Sequence, residues 1–159
     1  MNTVYKIALV GDTCVGKTAL MEKITNGDFI LHYEPNNDAV TILDVATNQE
    51  PITFSIWEFN TNSSLETLQY FDAAIIMTSA NDKKSFENIP YWIRVIEKNN
   101  SKIPITVCIN KSDLKIQVPY TLDKKYACFS ISTKNSDNIR SPFVYLAKKL
   151  LNNTDLYVY

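Results

Sequence analysis

Residues 11–18, Gly-Asp-Thr-Cys-Val-Gly-Lys-Thr, have the types and spacing needed to hold a phosphate group. Gly11 and Gly16 let the backbone curl so that consecutive N–H groups point at one anion. Lys17 adds a charge that can reach terminal phosphates, and the Thr18 hydroxyl is a ligand for Mg²⁺. An ordinary glycine turn is the alternative, but a strand-like run precedes the motif and a helix-like run follows it, as a P-loop requires. The predicted phosphate-binding residues are Gly11, Thr13, Cys14, Val15, Gly16, Lys17, Thr18 and Ala19.

A second polar motif, Asn110-Lys111-Ser112-Asp113, follows a run at 103–109 that is typical of a buried parallel strand. The Asp113 carboxylate can accept two parallel hydrogen bonds from the N1–H and exocyclic NH₂ of guanine, a pair of donors that adenine lacks. The Lys111 stem can cover the face of the base. A polar turn after a strand would also explain the motif alone, but its position downstream of a P-loop favours guanine binding.

A third segment supports the same interpretation. Ser132-Thr133-Lys134 follows a predicted strand at 127–131, and backbone N–H groups there could meet the guanine O6. The predicted base-binding residues are Asn110, Lys111, Asp113, Ser132, Thr133 and Lys134.

With these motifs the chain resembles the small GTPases of the Ras superfamily over almost its whole length. Within the superfamily it is most similar to the Ran family of nuclear-transport GTPases, while a Rab-like trafficking GTPase without a lipid anchor is the alternative. The resemblance to Ran depends on residues 29–35, 51–57, 88–92 and 141–150. It implies GTP or GDP with Mg²⁺ as cofactors, Phe29 as an aromatic beside guanine, and protein partners such as effectors or a transport-receptor-like exchange factor.

The resemblance also implies the fold. Alternating strand and helix signals predict a mostly parallel sheet with helices on both faces. The resemblance implies an α/β P-loop NTPase small G domain, whose six-stranded sheet has one antiparallel edge strand. Residues 39–46 and 52–58 should form the antiparallel hairpin. A first helix should end near 26–27, a third should begin near Ser85 with Asp82 or Ser85 as its cap, and the last should cover about 141–151.

Composition limits the other possibilities. A chain of 159 residues with 45% hydrophobic residues predicts one domain over 1–159, expected to be a monomer, and a net charge of −1 favours neither nucleic acid nor an acidic membrane. Cys14, Cys108 and Cys128 cannot all pair, and two of them fall in predicted buried strands. Reduced thiols in a cytoplasmic or nuclear compartment are therefore expected. With no cysteine after Cys128, prenylation and a membrane anchor are not expected.

The chain departs from the family in the two loops that sense the terminal phosphate. In the first loop Asn36 stands where the family has a Mg²⁺-binding Thr; its carbonyl is a weaker ligand, and Thr41 is a less suitable substitute because it lies in a predicted strand. In the second loop Glu58 replaces the Asp that holds Mg²⁺ through water. The predicted metal-site residues are Thr18, Glu58 (through water) and, more weakly, Asn36.

The hydrolytic residues differ as well. Asn62 replaces the Gln that orients the attacking water, Thr61 replaces a Gly, and Thr13 adds a side chain where Ran and Ras have Gly. Lys17 and the degenerate Asn62 are the predicted catalytic residues, and impaired or very slow GTP hydrolysis is expected. A working switch with harmless drift, and a pseudo-GTPase acting as a nucleotide-stabilised docking module, are the alternatives. A nucleotide kinase is disfavoured because it needs an arginine-rich lid and the chain has only Arg94 and Arg140.

Overall fold

Six strands form one sheet in this computed structural model, which describes residues 2–26, 40–115 and 124–159. The strands are β1 (Thr3–Gly11), β2 (Val40–Val45), β3 (Ile52–Glu58), β4 (Ala73–Ser79), β5 (Ile105–Asn110) and β6 (Ala127–Ser130). Their order is β2-β3-β1-β4-β5-β6, and only the β2–β3 pair is antiparallel. The predicted mostly parallel six-stranded sheet with an antiparallel edge strand is confirmed.

Helices cover both faces of the sheet. They are α1 (Lys17–Thr25), α2 (Lys83–Glu87), α3 (Ile89–Asn99) and α4 (Ser141–Leu150), with a short 3₁₀ helix at Leu65–Tyr70. Successive side chains of a strand point to opposite faces. Accordingly Ile7 and Leu9 of β1 pack in the core with α1 and α4, whereas Ala8 and Val10 pack in a second core with α3 and the 3₁₀ helix.

The parallel register brings the predicted site to one edge of the sheet. Gly11 at the end of β1 lies opposite Met77 of β4, and Asn110 at the end of β5 lies opposite Ser79 of the same strand. Glu58 at the end of β3 lies opposite Leu9. Ligands of open α/β sheets bind outside the carboxyl ends of the strands, so this edge is where a ligand is expected.

The predicted third helix is two helices. Asp82 caps α2 as predicted, because its side chain accepts hydrogen bonds from the backbone N–H groups of Lys84 and Ser85 at 3.1 and 3.3 Å. The chain then turns at Asn88, where α2 ends and α3 begins. Pro90 in the first turn of α3 has no N–H for the carbonyl four residues earlier, which interrupts a continuous helix.

Cys14, Cys108 and Cys128 form no disulfide, and the strand that contains Cys128 is less buried than predicted. Cys108 in β5 is buried, Cys14 is exposed and Cys128 in β6 is half-buried. β6 is the last strand in the sheet order and has a strand neighbour on one side only, which explains its exposure.

Some predictions lie outside the described residues. These are the placements of Phe29 and Asn36. Beyond α4, Leu156 is buried in the core and the backbone of Val158 bridges that of Thr47. Within the part of the chain that the structure describes, no helix has the length and apolar character required to cross a bilayer.

Candidate nucleotide-binding site

The loop between β1 and α1 has the backbone conformation of an anion cradle. Gly11, Cys14 and Gly16 all have positive φ, of 151°, 64° and 100°. A Cβ at Gly16 would lie 2.4 Å from the side-chain amide nitrogen of Asn110, and one at Gly11 would lie 2.3 Å from the carbonyl oxygen of Met77. Both positions therefore require glycine. The left-handed φ of Cys14 is uncommon for a residue with a side chain and costs about 1 kcal/mol.

The Lys17 ammonium contacts the backbone at the start of this loop. Its Nζ donates hydrogen bonds to the carbonyl oxygens of Gly11 and Asp12, both at 2.8 Å. Burial lowers the pKa of the Lys17 ammonium, and the nearby carboxylate of Glu58 is the largest influence that opposes this effect. A bound phosphate would supply the negative charge that such a desolvated ammonium lacks.

Thr18 and Glu58 come together across the sheet edge. The Thr18 hydroxyl donates a hydrogen bond to Glu58 Oε1 at 2.9 Å, although the two residues lie 40 positions apart. No cluster of three or more His, Cys, Asp or Glu residues occurs in the described ranges. One hydroxyl and one carboxylate nevertheless suit Mg²⁺, which is usually held by one or two carboxylates, water and the phosphates of a substrate. Thr41, the less suitable alternative to Asn36 as an Mg²⁺ ligand, lies within strand β2, as predicted.

Asn110 joins the phosphate loop to the segment that follows β6. Its Nδ2 donates to the carbonyl of Val15 at 3.0 Å, and its Oδ1 accepts from the backbone N–H of Thr133 at 3.1 Å and from the Thr133 hydroxyl at 3.0 Å. Asn110 is 2% exposed, and Val15 is completely buried. The amide therefore satisfies buried polar groups from two loops at once.

The next residues present polar groups at the surface of the same edge. Lys111 has a φ of 61° and its Nζ donates to the carbonyl of Cys14 at 3.0 Å. Asp113 Oδ1 accepts a hydrogen bond from the Ser132 hydroxyl at 2.7 Å. This bond is the largest of the influences that lower the pKa of Asp113, so the carboxylate is held in the ionised form that accepts two hydrogen bonds.

Two clefts meet at Gly16 and Ala19. The first, of about 340 Å³, lies over the phosphate loop and is lined by Thr13, Cys14, Gly16, Lys17, Thr18, Ala19, Glu58, Phe59 and Asn60. The second, of about 580 Å³, is lined by Gly16, Ala19, Glu22, Lys23, Asn26, Asn110, Lys111, Asp113, Leu114, Thr133 and Lys134. A phosphate cradle that opens directly into a cleft with an ionised carboxylate has the layout of a nucleotide site.

Residues 6–113 match the family model described as Ras of Complex, Roc, domain of DAPkinase. The chain belongs to the Roc family. Roc is a GTPase domain of the Ras superfamily, so this chain is a GTP-binding domain of the small-GTPase type, for which Mg²⁺ is the usual companion of the nucleotide. The matched residues include the phosphate loop and Asp113, and the superfamily prediction is confirmed.

The loop after β3, which was predicted to sense the terminal phosphate, forms hydrogen bonds within its own residues 60–63. Asn60 accepts a hydrogen bond from the Asn62 backbone N–H at 2.9 Å, and the Asn60 N–H donates to the Ser63 hydroxyl at 3.0 Å. Asn62 is exposed and is not among the residues that line the phosphate cleft, whereas Asn60 is. Thr61 is not among the described residues with positive φ.

Four residues of the second cleft were not indicated by the sequence motifs. Glu22, Lys23, Asn26 and Leu114 line the second cleft, and the helical spacing of the first three from Ala19 could have indicated it. In the sequence Asp12 is only one of the variable positions of the loop motif. Its carboxylate binds α3, and no feature of the sequence indicates that contact.

Proposed function

We propose that this chain is a Ran-like Roc GTPase that binds GDP and GTP with Mg²⁺, hydrolyses GTP very slowly, and acts through protein partners. The observation that carries the proposal is a contrast between two halves of the site. Asn110 joins the phosphate loop, through a bond to Val15, to Thr133, which lines the second cleft. Asn62, in contrast, lies in the turn at 60–63 and does not line the first cleft, the one over the phosphate loop. We therefore expect nucleotide binding to be retained and GTP hydrolysis to be impaired.

Each half of the site has its own proposed roles. The backbone of residues 11–16 and the Lys17 ammonium hold the phosphates, with Thr18 and, through water, Glu58 at Mg²⁺. The Asp113 carboxylate accepts the N1–H and NH₂ of guanine, and the Lys111 stem covers the base. Thr133 and Lys134 line the cleft beside them, and Ser132 acts beneath them by holding Asp113.

Slow hydrolysis follows from the position of Asn62. Phosphoryl transfer in this superfamily depends on orienting a water and neutralising charge. Lys17 and Mg²⁺ would still neutralise charge. The orienting amide is missing, because Asn62 is one methylene shorter than Gln and its backbone is held by Asn60. A loss of about 3 kcal/mol of orientation slows the step roughly 100-fold.

The Ran-like part of the proposal is supported by resemblance at residues 29–35, 51–57, 88–92 and 141–150. Of these, 51–57 runs through β3, 88–92 spans the junction of α2 with α3, and 141–150 forms α4. A transport-receptor-like effector or exchange factor is the partner class that this resemblance implies. A pseudo-GTPase docking module is the second candidate, and the self-contained turn at 60–63 favours it because a sensing loop must change its contacts with the terminal phosphate.

Competition binding on nucleotide-free protein tests the binding half. We expect GDP to displace a fluorescent guanine nucleotide while ADP does not, and Lys17→Ala to weaken GDP binding strongly. Hydrogen exchange of residues 58–70 with GDP and with a GTP analogue tests the response of the second loop. We expect little difference between the two. Equal affinity for GDP and ADP would reject the guanine site. Strong protection only with the analogue would show that the second loop does respond to the terminal phosphate, contrary to our expectation.

A further inference from the structure

The carboxylate of Asp12 is held by two side chains of another element. Its Oδ1 accepts a hydrogen bond from the indole N–H of Trp92 at 3.0 Å, and its Oδ2 accepts one from the side-chain amide of Asn88 at 2.5 Å. Asn88 is the junction of α2 and α3, and Trp92 lies one turn into α3. Residues four apart on a helix share a face, so both donors approach Asp12 from the same side.

Both sides of this contact depend on Asp12. Trp92 is 1% exposed and packs in the core with Val10, Phe59 and Leu68, and a buried indole N–H needs an acceptor. The first turn of α3 contains no acidic residue of its own. A carboxylate beside the first turn of a helix interacts favourably with the helix dipole, and Asp12 supplies it from the phosphate loop.

The same residue contacts the site through its backbone. The carbonyl oxygen of Asp12 accepts one of the two hydrogen bonds from Lys17 Nζ, while Asp12 is not among the residues that line the phosphate cleft. Its carboxylate is therefore bonded to side chains of α3 and its N-terminus, while its charge also opposes the lowering of the Lys17 pKa by burial. Anchoring the carboxylate fixes the backbone of the loop at the residue between Gly11 and Thr13.

The geometry points to Asp12 as a positioning residue that fastens the phosphate loop to α3 through Asn88 and Trp92 and thereby sets the affinity for the β-phosphate of the nucleotide. This inference rests on the proposed guanine-nucleotide binding. It predicts that loss of the Asp12 contacts weakens binding of GDP more than binding of GMP, which has no β-phosphate. A general loss of folding stability would affect both ligands alike.

The test compares GDP and GMP affinities, by competition with a fluorescent guanine nucleotide, for wild type, three variants of the contact and two control variants. Asp12→Ala removes both hydrogen bonds, and Trp92→Phe removes only the indole donor. Each should lower the ratio of GDP to GMP affinity, by about tenfold for Asp12→Ala and less for Trp92→Phe. In the double variant, Trp92→Phe should add no further loss, since its partner is already absent.

Two further variants serve as controls. Asp12→Asn keeps an oxygen for Trp92, and rotation of the Asn88 amide gives its NH₂ an acceptor, so the ratio should stay within about threefold of wild type. Trp57→Phe alters the other tryptophan, whose N–H bonds to Ser55 at 3.0 Å outside this contact, and should leave the ratio unchanged.

The outcomes separate the two claims. Wild-type protein that does not bind GDP rejects the proposed function. Wild-type protein that binds GDP, with Asp12→Ala showing an unchanged GDP-to-GMP ratio or Trp57→Phe matching Trp92→Phe, overturns the positioning role alone.

Discussion

The side-chain amide of Asn110 donates a hydrogen bond of 3.0 Å to the carbonyl of Val15, and this bond spans 95 positions of the sequence. It joins the phosphate loop to the segment that we propose to bind the base, through a residue that is itself buried. The two motifs are therefore held at a fixed separation by a contact that does not involve a ligand.

Asn110→Ala should destabilise the protein and weaken GDP binding together. The change leaves the Val15 carbonyl and the Thr133 N–H without their partner, at a cost of about 3 kcal/mol in the free energy of unfolding. Urea unfolding and a GDP titration measure the two effects. Asn99→Ala is the matched control, because Asn99 donates to the Val95 carbonyl within one helix, and it should change stability by no more than about 0.5 kcal/mol. Equal small effects of both changes would argue against a joining role for Asn110.

Asp113→Asn should change which base is bound. A carboxylate offers only acceptors, whereas an amide offers one acceptor and one donor. The variant should lose roughly 100-fold in affinity for GDP. It should gain affinity for xanthosine diphosphate, because xanthine has a carbonyl oxygen in place of the guanine NH₂. Competition with both nucleotides measures the switch, and an unaltered preference for GDP would remove Asp113 from the base site.

Cys14 should report occupancy of the phosphate cleft through its reactivity. It is exposed and lines that cleft, whereas Cys108 is fully buried and burial raises the pKa of its thiol. A disulfide reagent should react rapidly at Cys14 and slowly at Cys108. Saturating GDP with Mg²⁺ should slow the rapid phase about tenfold or more, and ADP should not. Cys14→Ser identifies that phase by removing it; a rate at Cys14 that ignores GDP would place the phosphates elsewhere.

The order of elements and the two binding motifs could be predicted because each is encoded locally. Glycine spacing marks the turn at 11–16, and the polar residues 47–50 between two strand-like runs mark the hairpin of β2 and β3. The contacts of Asp12 with Trp92 and of Asn110 with Val15 join residues 80 and 95 positions apart, and no local pattern encodes them. The division of the predicted helix at Asn88 could have been inferred from Pro90, whose missing N–H is a local feature.

The left-handed backbone conformation of residues other than glycine could not be predicted from the sequence either. Cys14 and Lys111 have positive φ of 64° and 61°, and local sequence preference disfavours this conformation for both. The surrounding loops impose it, and such backbone tends to occur at functional sites.

Single-turnover hydrolysis of bound GTP measures directly whether the protein binds GTP but hydrolyses it slowly. It compares wild type with Asn62→Gln and with the triple change Thr13→Gly, Thr61→Gly, Asn62→Gln. Lys17→Ala provides a variant in which the phosphate grip itself is removed. Asn62→Gln alone should restore little, because Thr13 lines the phosphate cleft and Asn60 holds the backbone of Asn62. Wild-type protein should retain GTP and hydrolyse it roughly 100-fold more slowly than ordinary small GTPases. Only the triple variant should show a clear increase in the hydrolysis rate. Wild-type hydrolysis at the ordinary small-GTPase rate, or full rescue by Asn62→Gln alone, would contradict these expectations.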